Sequence, residues 1–241
     1  LYGAIALYVV VMTAASFWKY DAMRYNAIDL AYYNQVFWKT IHGDLFGLTI
    51  HPHISLGDHV EPIILLLAPF YALWPDARML LFLQTLALAL VALPIYSFTH
   101  LLVKRSIARG DTGGGDLSAR NAVSTVRCRR WQDPERFTSL PLLLSLLWLA
   151  NPLVQNINLF EFHILPFALL PLFYALLAYE EKRMGKFVLW SLLALTVRED
   201  VALVVGAFAL LAALRGDTLQ GPRSSPSNPK GDAVGAGCNG A

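Results

Sequence analysis

Long apolar blocks dominate this chain and limit the folds that it can adopt. They extend over residues 1–18, 63–74, 78–103, 137–159, 164–179 and 187–214. A helix needs about 20 apolar residues, with a range of about 17–25, to cross a bilayer. Block 78–103 meets this requirement, and blocks 1–18, 137–159 and 164–179 are adequate. Because only 15% of the residues are charged, against about 25% in soluble domains, the sequence predicts an all-α, polytopic bundle of transmembrane helices.

Two blocks do not have the length of one crossing. Block 63–74 is short and has a proline on each side, so we expect an interfacial or re-entrant segment on the outer face. Block 187–214 is long for one crossing and short for two, and it contains the charged run Arg198-Glu199-Asp200. A charge at the bilayer centre costs roughly 2.5–3.5 kcal/mol. We therefore predict two half-length helices that hold this charged triplet near the outer face, buried in protein.

Basic residues indicate the orientation of the chain. Loop 104–136 carries more Lys and Arg than Asp and Glu, and the short segment 180–186 is also basic. By the positive-inside rule both lie in the cytoplasm, which leaves 19–62, 151–163 and the charged triplet on the outer face of the plasma membrane. We expect a multi-pass membrane domain over 1–214, with loop 104–136 flexible. The tail 215–241 is rich in Gly, Pro and Ser, and we expect it to be disordered or non-native.

The first outer segment contains a helical pattern. Leu30, Tyr33, Phe37 and Ile41 recur at the spacing of one helix face, which predicts a helix in the membrane interface. Asp29 falls in the first turn of this helix. It is either a carboxylate that favours the helix dipole or a general base that the helix presents at the membrane surface. The segment itself leaves both interpretations open.

A histidine-rich segment follows. His51, His53 and Asp58 could ligate a divalent metal ion, because imidazole and carboxylate groups are common ligands. The spacing fits no fixed zinc motif, and His51 and His53 would share a face only on a strand. The alternative is a solvated polar loop with one or two functional residues, among them His59. A divalent metal is thus an open candidate for the cofactor.

Glu161 and His163 alternate with the aromatic residues Phe160 and Phe162. We expect both rings to lie in the membrane interface. Glu161 and His163 are either structural, with the carboxylate near a helix N-terminus, or part of a site, because ionisable groups at the membrane edge are costly without a purpose.

The charged triplet also has two interpretations. Successive residues of a helix point about 100° apart, so Arg198, Glu199 and Asp200 cannot all face one partner. We expect one carboxylate to pair with Arg198 and the other charges to pair with neighbours. The cluster is either purely structural or presents Arg198 to an anion such as a lipid phosphate.

Four stretches of the chain carry a resemblance to a known family. They are IDLAYYNQVFWKTIHG, DHVEPIILLLAPFYALWP, NLFEFHILPFALLPLFYALL and REDVAL. In this order they resemble segments of a bacterial membrane family catalogued as domain of unknown function 2079. The resemblance covers roughly 20–103 and 137–214. The chain departs from the family pattern at Glu61, where Ser is typical, and at Ile164, where Pro is typical.

That family in turn resembles the C-type glycosyltransferases, which are membrane enzymes that use polyprenyl-phosphate sugars. The resemblance implies that Asp29 takes the place of the acid that activates the acceptor. Arg198 takes the place of the basic residue near the donor phosphate. A base and a cation suit glycosyl transfer, in which a hydroxyl loses a proton and a phosphate departs. We take Glu161 as a second catalytic candidate and expect substrate binding by Arg198, Glu199, Asp200, His59 and His163.

The expected partners are membrane lipids and a polyprenyl-phosphate-linked sugar, and no nucleic acid is expected. Two other functional classes stay open. Broken helices with charges at their junction also occur in transporters and flippases, whose charges must be reachable from both sides of the membrane. A membrane scaffold without catalysis would tolerate replacement of the outer polar residues.

Overall fold

The computed structural model describes residues 1–25, 28–111 and 134–214, and within these ranges it contains helices and no β-strand. The prediction of an all-α fold is confirmed. A 3₁₀ turn covers Ser55–Gly57. The α-helices, numbered in chain order, are α1 (Tyr2–Asp21), α2 (Ile28–Ile41), α3 (Ile63–Leu73), α4 (Ala77–Leu90), α5 (Ala92–Asp111), α6 (Pro134–Ala150), α7 (Pro152–Phe160), α8 (Pro166–Glu180), α9 (Met184–Leu195) and α10 (Val201–Leu214).

Three helical stretches of the described chain are long and apolar enough to cross a membrane. They are Tyr2–Asp21, Ala77–Ile107 and Ser139–Phe160. The first is α1, the second combines α4 with α5, and the third combines α6 with α7. These stretches correspond to three of the blocks that the sequence predicts as crossings.

The second stretch is interrupted at Val91, between α4 and α5. Pro94 predicts a kink here, because a proline has no N–H to donate to the carbonyl four residues earlier. Two side chains of α6 donate to carbonyls beside the interruption: Trp148 Nε1 to that of Leu88 at 2.9 Å and Ser145 Oγ to that of Ala92 at 3.1 Å. Helix α6 thus satisfies backbone groups at the break.

The third stretch is also divided. The side chain of Asn151 caps α7 by accepting a hydrogen bond from the backbone N–H of Leu153 at 2.9 Å. Pro152 occupies the first position of α7, where its missing N–H costs nothing. Block 137–159, which we predict as one crossing, therefore forms two consecutive helices.

The remaining apolar helices are short. Helices α3, α8, α9 and α10 have 11, 15, 12 and 14 residues. At about 1.5 Å per residue they measure about 16–23 Å, less than the bilayer core of about 30 Å. The short length of the helix in 63–74 and the two half-length helices around the charged triplet agree with prediction. Block 164–179, which we predict as adequate for a crossing, forms a helix of only 15 residues, Pro166–Glu180.

Contacts between distant segments define two ends of the molecule. At one end the backbone N–H of Ile63 donates to the carbonyl of Thr196 at 2.8 Å, which joins α3 to the turn after α9. We call this the polar end and define it by residues 28–62, 158–165 and 196–200. At the opposite end Arg105 of α5 pairs with Glu180 of α8 at 2.9 Å. The segments that we predict on the outer face therefore meet at one end.

The predicted cytoplasmic loop 104–136 is shorter than expected. Residues 104–111 continue α5 and residues 134–136 begin α6. The rest of this loop, 112–133, and the tail 215–241 lie outside the described residues.

Candidate functional site

Helix α2 is the platform of the polar end. Leu30, Tyr33, Val36 and Phe37 are buried, whereas Ile41 is only partly buried. The predicted stripe is therefore present and follows the helical period. Because this face packs into the protein, the polar residues along α2 lie at the boundary between core and surface.

Asp29, Glu161 and His163 meet at the start of α2. The backbone N–H of Asp29 donates to Glu161 Oε2 at 3.1 Å, and Asp29 Oδ2 lies 3.3 Å from His163 Nε2. Glu161 is buried at 3% exposure, while the side chains of Asp29 and His163 are 48% and 37% exposed. Glu161 lies in a distant segment of the chain. It thus accepts a hydrogen bond from a backbone N–H in the first turn of α2 that has no partner within the helix. Asp29 remains the accessible carboxylate of this group.

A buried glutamine in α4 holds the segment that carries Glu161 and His163. Gln84 Nε2 donates to the carbonyls of Ile157 at 3.1 Å and Glu161 at 3.0 Å. The backbone N–H of His163 donates to Gln84 Oε1 at 2.7 Å. Sequence reasoning missed Gln84, although an amide inside an apolar block is a signal that a polar partner lies nearby.

The two aromatic residues beside Glu161 have different environments. Phe160 is half exposed, but Phe162 is fully buried and packs edge-on against Tyr33, with ring centroids 5.1 Å apart. The expectation that both rings lie in the interface is therefore wrong for Phe162. Its burial follows from the extended backbone around Glu161, because neighbouring side chains of an extended segment point in opposite directions.

A cation that sequence reasoning missed lies beside this group. Lys19, near the end of α1, donates through Nζ to the carbonyl of Leu159 at 2.6 Å and to that of Phe160 at 3.2 Å. A cation at the C-terminus of α7 interacts favourably with the free carbonyls and the helix dipole. In the sequence, Lys19 could have been recognised by its position at the polar edge of an apolar block.

One turn along α2, Tyr33 contacts a buried carboxylate. Its hydroxyl donates to Glu61 Oε1 at 2.9 Å, and Glu61 is 1% exposed. Burial raises the pKa of Glu61, and it also raises the pKa of Tyr33. The charge of Arg198 acts in the opposite direction on both groups, so Arg198 lies within electrostatic reach of this pair.

The charged triplet forms ion pairs, as the sequence predicts, but it lies in the turn between α9 and α10 and not on a helix. Arg198 pairs with Asp200. Glu199 Oε1 lies 2.8 Å from His59 Nδ1, and Glu199 Oε2 accepts the backbone N–H of Val60 at 2.8 Å. The hydrogen bond from His59 lowers the pKa of Glu199 to about 2.

The expected burial of the triplet is wrong for its two carboxylates. The side chain of Arg198 is 22% exposed, but those of Glu199 and Asp200 are 44% and 53% exposed. The turn between the two short helices leaves both carboxylates open to solvent, whereas the apolar stem of an arginine can pack against the protein.

His51, His53 and Asp58 form a compact cluster at the surface. Asp58 Oδ2 lies 2.8 Å from His51 Nδ1, and Asp58 Oδ1 lies 2.8 Å from His53 Nε2. These hydrogen bonds lower the pKa of Asp58 to about 2. The expectation that the two histidines share a face only on a strand is wrong, because a bent loop brings their rings to a stacked centroid distance of 5.4 Å.

An apolar cavity of about 510 Å³ opens beside the Asp29 group. Its walls include Ile157 and Phe160 of α7 and Leu169 of α8, and His163 contributes an ionisable side chain. Apolar pockets with a few polar groups are typical ligand sites. The arrangement could hold an apolar chain next to a carboxylate that accepts a proton and a histidine that pairs with an anion.

The structure thus brings the predicted site residues together in three groups around α2. The first contains Asp29, Glu161 and His163, the second contains His59 with the charged triplet, and the third contains His51, His53 and Asp58. Tyr33 of α2 binds Glu61 of the segment before α3, and the charge of Arg198 acts on both groups.

Comparison with known proteins gives one family. The family described as predicted membrane protein (DUF2079) matches residues 19–225. No curated protein and no solved structure matches the chain.

Proposed function

Because the chain belongs to the family described as predicted membrane protein (DUF2079), we propose that it is a multi-pass protein of the plasma membrane that transfers a sugar from a lipid-phosphate donor. The chain is an integral membrane protein with apolar helices, and three helical stretches of its described part are long enough to cross a bilayer. In the proposal, the polar end faces outward and carries the reaction.

One observation carries this proposal. The Asp29–His163 pair lies beside an apolar cavity, and His163 itself forms part of the wall. A lipid-phosphate sugar has an apolar chain and an anionic head, and it requires an apolar surface next to polar groups. The cavity supplies the surface, and His163 and the nearby Lys19 supply groups that can carry positive charge.

Asp29 suits the role of general base. Its side chain is accessible, whereas Glu161 is buried and occupied by the N–H of Asp29. In the proposed step a hydroxyl oxygen of the acceptor bonds to the anomeric carbon, and its proton passes to the Asp29 carboxylate. The bond between this carbon and the phosphate oxygen breaks, and the electron pair leaves with the phosphate. Glu161 acts as a positioning residue that fixes the first turn of α2.

Arg198 and His163 are the proposed contacts of the phosphate. Arg198 is mostly buried and pairs with the exposed Asp200, so a phosphate could replace Asp200 without desolvating the guanidinium further. His59 and Glu199 tie the turn at Arg198 to the segment before α3. A cation that neutralises the departing phosphate lowers the barrier of the transfer.

A binding experiment tests the donor site. The full chain is purified in detergent, mixed with undecaprenyl phosphate and examined by native mass spectrometry. We expect an adduct on the wild type that weakens strongly in Arg198→Gln and His163→Gln. Arg183→Gln, which removes an exposed arginine paired with Glu181, is the matched control and should keep the adduct. Equal adducts in all four proteins would contradict the donor site.

A turnover experiment tests the base. Release of undecaprenyl phosphate from undecaprenyl-phosphate-glucose is followed in nanodiscs with a pool of hydroxyl acceptors. Asp29→Asn should retain binding and lose about 10²–10⁴-fold in rate, the usual contribution of a general base. Asp44→Asn is the matched control, because Asp44 is an exposed carboxylate of the same end that pairs with Lys39.

The junction of α9 and α10 favours a second candidate function. Two half-length helices that meet at charged residues are a feature of transporters. A flippase would move the intact lipid-phosphate sugar between the leaflets of a vesicle without cleaving it. A scaffold would do neither, and the Arg198→Gln variant would behave as the wild type.

A further inference from the structure

We propose that His51, His53 and Asp58 bind a divalent transition-metal ion, for which Zn²⁺ is the best chemical match. The proposal does not depend on sugar transfer, because the cluster stands on its own loop and its ligand is the ion itself. Two imidazoles and one carboxylate are a ligand set that zinc accepts.

The donor atoms already lie close to the arrangement that a metal needs. His51 Nδ1 and His53 Nε2 each lie 2.8 Å from a different oxygen of Asp58, and the possible ligand atoms of the three residues lie within 4.8 Å of one another. Ligands at about 2.0–2.1 Å from a tetrahedral zinc are about 3.3 Å apart. The two nitrogen–oxygen separations must therefore widen by about half an ångström, which side-chain rotations can supply.

The cluster is also accessible. The side chains of His51 and His53 are 44% and 45% exposed, and that of Asp58 is 23% exposed. An ion can therefore reach the three ligands, and water or a substrate group can occupy a fourth position. Sites with three protein ligands and one open position are typical of catalytic zinc.

The backbone favours the observed position of His53. The segment turns through Ser55–Gly57, and a Cβ atom on Gly57 would stand 2.2 Å from His53 Cδ2. The imidazole of His53 thus occupies space that only a glycine leaves open. The buried Ser55 donates its backbone N–H to the carbonyl of Phe46 at 2.9 Å, which anchors the turn to the protein.

A tyrosine outside the three ligands orients the carboxylate of Asp58. Tyr32 of α2 donates its hydroxyl to Asp58 Oδ2 at 3.0 Å. Hydrogen bonds of this kind, from residues that do not touch the metal, fix the direction of a ligating carboxylate. Two ionisable residues that follow the cluster in sequence have other partners, since Glu61 accepts from Tyr33 and His59 pairs with Glu199.

Zinc titration of the full chain tests the site. The protein is purified with a tag that contains no histidine, stripped with EDTA in detergent and titrated with Zn²⁺ against a fluorescent chelator. We expect one equivalent of tightly bound zinc. Asp58→Asn and His51→Ala should lose this equivalent, and Tyr32→Phe should weaken it by about tenfold, as loss of an outer partner does. His42→Ala is the control, because its imidazole stacks on Trp38, apart from the cluster.

A second variant and a second readout keep the test decisive. Gly57→Ala should weaken zinc binding while thermal melting shows a folded protein, because the new methyl group displaces His53. X-ray absorption of the zinc-loaded protein should show two imidazole ligands and one carboxylate. No uptake of zinc, or uptake that persists in both Asp58→Asn and His51→Ala, would overturn the proposal and leave the cluster as a hydrogen-bonded surface turn. Lipid binding is measured separately, so failure of either proposal is visible without the other.

Discussion

Tyr33 and Glu61 form a buried pair whose energy depends on protonation. A carboxylate at 1% exposure loses most of its hydration, and the Tyr33 hydroxyl replaces only one of its hydrogen bonds to water. Because burial raises the pKa of Glu61, the folded state holds this proton more tightly than the unfolded state. The pair therefore becomes less stabilising as the pH rises from the unfolded pKa through the folded pKa.

Removal of the tyrosine hydroxyl should expose this cost. We expect Tyr33→Phe to destabilise the protein by about 1–3 kcal/mol, because it leaves a buried acceptor without its donor. Glu61→Gln should cost less, since the amide oxygen still accepts from Tyr33, and its cost relative to the wild type should shrink as the pH rises. Thermal melting in detergent at several pH values measures both variants. A Tyr33→Phe melting temperature equal to that of the wild type would contradict the pairing.

Glu199 and Asp58 should make the fold sensitive to acid. Hydrogen bonds from histidines lower both carboxyl pKa values to about 2 in the folded protein. Their contribution to stability is thus fully present above the unfolded values of 4.5 and 3.8. It is lost as the pH falls through the folded values. The melting temperature should fall as the pH is lowered from 6 to 2. In Glu199→Gln it should fall by less over the same range. The exposed Asp44→Asn should leave this fall unchanged.

Single residues show what a sequence can and cannot predict. The pairing of Arg198 with one carboxylate of the triplet follows from their closeness in sequence, although the sequence does not show that the partner is Asp200. The place of Asp29 in the first turn of α2 follows from the helical stripe. The contact of Glu161 with that same turn joins residues more than a hundred positions apart. A linear pattern carries no information on such a pairing, because it depends on how the helices pack.

Helix α4 carries one amide that determines the geometry of a neighbouring segment. Gln84 is fully buried and bonds two carbonyls and the backbone N–H of His163. Glu161 and His163 lie in the break between α7 and α8, and Ile157 lies in the last turn of α7, where carbonyls lack a partner within the helix. A contact from α4 therefore replaces the missing backbone bonds and holds His163 at the cavity.

Loss of this amide should disturb the element that it supports. We expect Gln84→Leu to destabilise the protein by about 1–3 kcal/mol for each buried group left unsatisfied, and to weaken binding of undecaprenyl phosphate through the displaced His163. Gln35→Leu is the control, because Gln35 bonds Thr49 at the surface, where water can replace it. Thermal melting and the adduct in native mass spectrometry measure the two effects. Similar losses in both variants would show that Gln84 has no special structural role.

The apolar blocks predict that the helices exist, but they predict less well the residues at which each helix begins and ends. The half-length helices around the charged triplet were predicted because charges cannot lie in lipid, and this constraint is local. The cap at Asn151 divides a block that the hydrophobic pattern leaves continuous. Hydropathy averages over a window, so it records an apolar environment and not the backbone hydrogen bonds that end a helix.

The arrangement of the whole molecule separates its charged residues into two ends. The three outer segments predicted from the positive-inside rule meet at the polar end, while Arg105 and Glu180 pair at the opposite end. The sequence alone could predict this separation, because basic loops alternate with polar ones. It could not predict the three groups around α2, which arise from packing.

Labelling of engineered cysteines measures the orientation. After replacement of Cys128 and Cys238 by serine, we expect Leu45→Cys at the polar end to react with an impermeant maleimide in intact cells. Arg183→Cys at the opposite end should react only after permeabilisation. Both parent side chains are exposed, so access does not favour either site. Reaction of Leu45→Cys only after permeabilisation would reverse the proposed orientation.

The unequal helix lengths give the molecule two hydrophobic thicknesses. The stretch Ala77–Ile107 has 31 residues and exceeds the bilayer core, whereas α9 and α10 measure about 18 and 21 Å. Lipids beside α9 and α10 must shorten or tilt to cover their apolar surface, at a cost of a fraction of a kcal/mol per ångström of mismatch. We therefore expect the membrane to be thinner on one flank of the protein, next to the turn that carries Arg198. The head group of a long-chain lipid that enters there would lie closer to the interior of the protein than it does elsewhere in the bilayer.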